Sequence, residues 1–156
     1  MLVSAPRTVE TATGDLMQRL LLEVQRFDRQ IADQIGINAT DLLCLAWVER
    51  AEQPASAKAL AAFLGISTGS TTALIDRLEK RKLLARAPHP TDRRGLSLQP
   101  GPAVGRPEIL AVRTQYRELM QAAWSGFSEA ELLVVQRFLV ATIAAMDEQI
   151  VKFGPS

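Results

Sequence analysis

From Asp15 onward, apolar residues fall at Leu16, Leu20, Val24, Phe27, Ile31 and Ile35. Gaps of three and four put them on one face of a long helix, which Gly36 ends. Asn38 or Thr40 caps a second helix through Leu42, Leu43, Leu45, Ala46 and Val48. The breaker Glu52-Gln53-Pro54-Ala55-Ser56 follows, with Ser56 capping a short third helix that Gly65 closes. Ser67 caps a fourth helix whose buried stripe is Thr71, Leu74, Ile75 and Leu78. Short strands are expected around Leu83 to Ala87 and Leu96 to Leu98, joined by a proline-rich tip. "QPGPAVGRPE" breaks the chain again and ends at Pro107, suited to a helix start. A fifth helix runs through Ile109, Val112, Tyr116, Leu119 and Ala123 towards Phe127. Ser128 and Glu131 then form a capping box for the last helix. Its stripe is Leu132, Val135, Leu139, Ile143, Met146, Ile150 and Phe153, about seven turns long. Residues 1–12 are small and polar and read as a loose arm.

The order is helix, helix, helix–turn–helix, two-stranded hairpin, helix, helix. It predicts a mainly α fold with a small β hairpin, a winged helix-turn-helix with N- and C-terminal dimerisation helices. Residues 38–100 would be the winged region and residues 12–36 and 106–153 the dimerisation layer, all in a single domain of 156 residues. The terminal helices carry more apolar surface than one small domain needs, so a homodimer is expected.

Composition narrows the function mainly by exclusion. No apolar run approaches the ~20 residues of a membrane span, and the start lacks a secretory layout. A cytoplasmic protein without membrane contact is the expectation. Cys44 is the sole cysteine and lies in apolar "DLLCLAW", which reads as a buried, inert thiol with no disulfide or metal role. His89 is the sole histidine. With no nucleophile–base pair and no G-x-S-x-G, an enzyme is not expected, nor any metal or cofactor. Net charge is only +1, yet seven basic residues stand against three acidic ones between Asp76 and Arg94. That segment is +4 and the remainder −3, so the positive charge is local.

The segment ends in Asp92-Arg93-Arg94 at the hairpin tip. Arginine on a thin hairpin can enter the concentrated negative potential of a DNA minor groove. On the fourth helix, the face opposite the buried stripe carries Gly69, Thr72, Ala73, Asp76 and Lys80. Ser67, Thr68 and Ser70 offer hydroxyls and free N–H groups to phosphates, and Thr72 and Ala73 offer methyls to thymine. No Arg, Asn or Gln stands in the first turn, so direct base readout is poor. Arg77, Arg81, Lys82 and Arg86 are candidates to clamp the DNA backbone; an Arg77 pair with Asp92 is the alternative for that residue.

The stretch "LAAFLGISTGSTTALIDRLEKRKLLARAPHPTDRRGLSL" resembles the MarR-type (multiple-antibiotic-resistance regulator) family of bacterial transcription factors. The features carrying it are Leu78-Glu79 at the helix end, Arg86 after the first strand, and Asp92-Arg93-Arg94 in the wing. The family's Asp-x-Arg pattern falls on Asp92 and Arg94. It implies that Arg94 enters the groove, with Asp92 orienting an arginine. Three departures stand out. Lys82 occupies the usual glycine position before Leu83, Gln99-Pro100-Gly101 replaces a Thr-containing exit, and no cysteine lies in the first helix. The resemblance further implies a small aromatic or amphipathic effector, for which Trp47, Trp124 and Phe127 are pocket candidates, core packing being the alternative.

The expectation is therefore a dimeric regulator of a pseudo-palindromic double-stranded DNA operator, a repressor released by a small molecule. The alternative is a winged-helix module that grips protein or RNA.

Overall fold

The structure, a computed structural model, describes residues 8–51, 54–90 and 95–153. It is mainly helical with one two-stranded antiparallel sheet, as the sequence predicts. Residues up to Val112 form one compact unit and those from Arg113 a second.

Helix α1 spans Val9–Gln34. It starts seven residues before the first residue of the predicted stripe, Leu16, so the expected arm is helical from Val9. The cause is local: the Thr8 hydroxyl accepts from the Thr11 N–H at 3.2 Å, and Glu10 sits in the positive first turn. Helix α2, Ala39–Arg50, begins with a full capping box between Asn38 and Asp41. Helix α3, Ala57–Leu64, is capped by Ser56 and closed by Gly65 in the left-handed region at φ +64°. Helix α4, Thr68–Lys80, follows at once, with the Ser67 side chain accepting from Ser70 N–H. Thr71, Leu74, Ile75 and Leu78 are its buried residues, the stripe expected from the sequence.

Strand β1, Leu84–Pro88, pairs with β2, Leu96–Pro100, with Arg86 opposite Leu98. A third piece of backbone joins them: Ala55 forms a bridge to Leu98, whose N–H donates to its carbonyl at 2.7 Å. The breaker before α3 thus extends the sheet by one residue, which the hydrophobic pattern did not indicate. Lys82, in the turn between α4 and β1, sits at φ +60°, the one non-glycine with positive φ among the described residues. A 3-10 turn, Pro102–Gly105, leads to helix α5, Pro107–Trp124. That helix stops three residues short of Phe127, whose N–H bonds the Trp124 carbonyl in the closing turn. Helix α6, Glu129–Phe153, starts at the predicted box, where Ser128 N–H donates to Glu131 Oε2 at 2.8 Å. The Ser128 hydroxyl, which donates to the same oxygen at 2.6 Å, and then that N–H hold the Glu131 carboxyl below its ordinary value.

The core is built from Leu60, Leu74, Ile75, Leu78, Leu83, Leu84 and Leu98, with Cys44, Leu45 and Val48 beneath them. Every buried residue lies at or before Ile109; among the described residues of the second unit, none is buried. No single helix among the described residues is long and apolar enough to cross a membrane.

Candidate nucleic-acid interface

Since one face of α4 is spent on the core, the opposite face is left to solvent, and it carries Gly69, Thr72, Ala73, Asp76 and Lys80. Apolar side chains on it stop at the size of alanine. Its first turn is ordered by its own hydroxyls. Ser67 Oγ donates to Ser70 Oγ at 3.0 Å, Thr71 Oγ1 to the Ser67 carbonyl and Thr72 Oγ1 to the Thr68 carbonyl, both at 2.9 Å. With its hydroxyl turned back to the helix, Thr72 has its methyl available for contact.

Both flanks of α4 are tied down by ion pairs. On one flank, Arg77 donates through Nε to Asp41 Oδ2 at 3.2 Å and through a terminal nitrogen to Oδ1. Asp41 is 2% exposed, while the Arg77 side chain is 47% exposed. The hydrogen bond to Asp41 raises the guanidinium's pKa further still. The same carboxylate closes the capping box of α2, so one buried group orients both helices. On the other flank, Arg86 of β1 pairs with Asp76 at 2.7 Å and with Glu79, and its backbone N–H donates to Glu79 Oε1 at 3.1 Å. Arg81, at the end of α4, donates to the carbonyls of Gly36 and, at 2.9 Å, of Ile35. Both carbonyls lie just past Gln34, the last residue of α1, so Arg81 ties the end of α4 to the exit of α1.

Three of the basic residues read as backbone clamps thus have intramolecular partners. The structure pairs Arg77 with Asp41 of α2, whereas the Asp92 pairing considered from sequence falls on a residue outside those described. Asp41 was missed, although Asn38 followed three residues later by an acid is itself a capping-box signal. Asp92, Arg93 and Arg94 lie outside the described residues. The wing is described to Pro90 and again from Gly95, where His89 N–H bonds the Gly95 carbonyl at 3.0 Å.

Of the aromatic candidates, Trp47 belongs to the first unit and Trp124 and Phe127 to the second. Trp47 is half-buried on α2 and stacks on Phe63 of α3, ring centroids 5.7 Å apart. Trp124 and Phe127 are exposed residues of the second unit. Cys44 is fully buried, and burial, reinforced by the charge of Asp41, pushes its thiol up to about 12.

A cap–helix–turn–helix followed by a two-stranded wing, with a polar outward face on the second helix, defines a winged helix-turn-helix protein. Residues 35–95 match the model of the MarR family, so that stretch is similar to MarR-type regulators. Similar proteins extend the likeness along its length. The uncharacterized HTH-type transcriptional regulator YcgE of Bacillus subtilis (strain 168) is 29% identical, covering 91% of each chain. The crystal structure of RV1404 from Mycobacterium tuberculosis is 26% identical with a TM-score of 0.62, covering 92% of this chain and 98% of that one. A MarR family protein from Bacillus stearothermophilus is 21% identical with a TM-score of 0.64, covering 90% and 99%.

Proposed function

We propose that this chain is a homodimeric, sequence-specific DNA-binding regulator of transcription, acting as a repressor that a small molecule releases. The observation that carries the DNA reading is the outward face of α4. Its apolar side chains are no larger than alanine, its first turn is ordered by its own hydroxyls, and it is held on both flanks by ion pairs. A helix so presented fits a major groove about 12 Å wide. Ser67, Thr68, Gly69 and Ser70 meet phosphates at its start, and Thr72 and Ala73 meet thymine methyls. Arg77, Arg86 and the wing arginines Arg93 and Arg94 supply positive charge around that face, with Asp92 orienting the wing.

The dimer reading rests on α5 and α6. Helix α5 buries only Ile109 and α6 buries none of its described residues, and a face exposing Leu133, Val135, Phe138, Leu139, Ile143 and Ile150 needs a second copy to cover it. In such a dimer two copies of α4 engage half-sites about one DNA turn, ~34 to 36 Å, apart. A small aromatic or amphipathic effector releases DNA by favouring a dimer with altered spacing. A coupling of about 1 to 3 kcal/mol is enough for that.

The test is selection of duplexes from a randomised pool, followed by footprinting and titration at several salt concentrations. The expected result is a pseudo-palindromic site whose affinity falls steeply with salt. Arg94→Ala weakens it by roughly 1 to 3 kcal/mol without loss of fold. Selection of no duplex, or a preference for RNA or a protein partner, overturns the reading.

A further inference from the structure

The seven basic residues of the segment from Asp76 to Arg94 suggest a surface that meets phosphates with positive charge. On the flank of α4 that adjoins β1 the structure shows a different balance. Asp76, with 60% of its side chain exposed, and Glu79, at 29%, lie one helical turn apart. Both face a single guanidinium, that of Arg86, whose side chain is 31% exposed. Asp76 belongs to the outward face itself. One cation against two carboxylates leaves this cluster at a formal −1; without Arg86 it would stand at −2.

Duplex DNA carries one negative charge per ~1.7 Å of its axis, so a carboxylate pair entering a groove meets a field of its own sign. Juxtaposed like charges are among the costliest contacts an interface can hold. Each terminal nitrogen of Arg86 is directed at a carboxylate oxygen, and its backbone N–H fixes Glu79 in the same place. This geometry uses the guanidinium's fork on the protein, which disfavours a bidentate phosphate contact.

We propose that Arg86 is a positioning residue that offsets the charge of Asp76 and Glu79 at the DNA-facing flank of α4, and that its contribution to DNA binding is this offset and not a phosphate contact. The proposal rests on the DNA reading above. It makes affinity follow the charge of the cluster, and four proteins separate it from a direct contact. The cluster is −2 in Arg86→Ala, −1 in the unmodified protein, 0 in Arg86→Ala/Asp76→Asn/Glu79→Gln, and +1 in Asp76→Asn/Glu79→Gln. Affinity should rise in that order.

The probe is the duplex that the unmodified protein selects from a randomised pool, titrated at two or more salt concentrations, with thermal melts on every variant. Arg86→Ala is expected to bind about tenfold more weakly. The triple variant should bind at least as tightly as the unmodified protein, with the salt slope retained. Asp76→Asn/Glu79→Gln, which keeps Arg86, should bind more tightly than the unmodified protein. A triple variant as weak as Arg86→Ala, with its slope reduced by about 0.9, overturns the proposal and makes Arg86 a phosphate contact. Unchanged affinity in Arg86→Ala or in Asp76→Asn/Glu79→Gln overturns it as well. Should Arg86→Ala fail to melt cooperatively, Arg86→Gln takes its place, and the double variant remains decisive. If the unmodified protein selects no duplex, the DNA reading falls and this proposal with it. If it selects one and the order fails, only the proposal falls.

Discussion

Arg77 and Asp41 form a lopsided ion pair: the carboxylate side chain is 3% exposed and the guanidinium side chain 47% exposed. The two halves therefore cost different amounts to remove. Loss of Asp41 leaves a cation that water can reach, whereas loss of Arg77 strands a carboxylate inside the protein.

Arg77→Ala is expected to destabilise the fold by about 1 to 3 kcal/mol, the range for an unsatisfied buried polar group. Adding Asp41→Asn in the same background should restore part of that loss, since the stranded charge is gone. Denaturant titration of the single and double variants measures the coupling. Equal stability of Arg77→Ala and the unmodified protein would show that the pair does not hold α4 to α2.

Lys82 and Gly101 are a second coupled pair. The Lys82 carbonyl accepts from Ala103 N–H at 2.8 Å, and Gly101 N–H donates to Leu83 at 2.9 Å. A Cβ on Gly101 would lie 2.8 Å from the Lys82 carbonyl carbon and closer still to its oxygen. The two sequence departures noted for this family, lysine at 82 and Gln99-Pro100-Gly101, thus meet at one point. Gly101→Ala should cost about 1 to 3 kcal/mol through this overlap. Lys82→Gly should stabilise by about 0.5 to 1 kcal/mol, as relief of left-handed strain exceeds the entropy of glycine. Thermal melts decide both; a lower melting temperature for Lys82→Gly rules out strain at that position.

Cys44 should behave as a silent thiol. Its neutral form is the one the fold accommodates, so its contribution to stability is complete below the ordinary thiol value of 9.0. That contribution is lost as pH rises from there towards about 12. Unmodified protein should therefore lose more stability over that alkaline range than Cys44→Ala does. Thiol reagents at pH 8 should not react until the protein unfolds, and peroxide should leave DNA affinity unchanged. Peroxide-induced release that Cys44→Ser abolishes would make the protein a redox sensor instead.

Leu139→Glu or Ile143→Glu should abolish dimerisation or solubility, since both residues are exposed apolar positions of α6. Sedimentation gives the answer, and a stable monomer of the unmodified protein at micromolar concentration would contradict the dimer.

Local signals were the legible ones. Asn38, Ser56, Ser67 and Ser128 were all readable as caps, because a cap needs only a side chain within three residues of the N–H it serves. Thr8 escaped notice because the apolar stripe of α1 begins only at Leu16. The α4 stripe was equally plain, being one helix against one core. The ties of α4 to the rest of the protein were not legible. Arg77 finds Asp41 36 residues away, and Arg81 finds Ile35 46 residues away. A basic residue in a sequence carries no mark of whether it will face a phosphate or a carboxylate of its own chain.

The strained turn at Lys82 also has a genetic consequence. Lysine codons are AAA and AAG, while glycine codons begin GG, so two base changes separate Lys82 from glycine. Either single step passes through arginine or glutamate, each of which keeps a β-carbon at φ +60° and gains no relief. Mutation one base at a time through arginine or glutamate therefore brings no relief of that turn before glycine is reached.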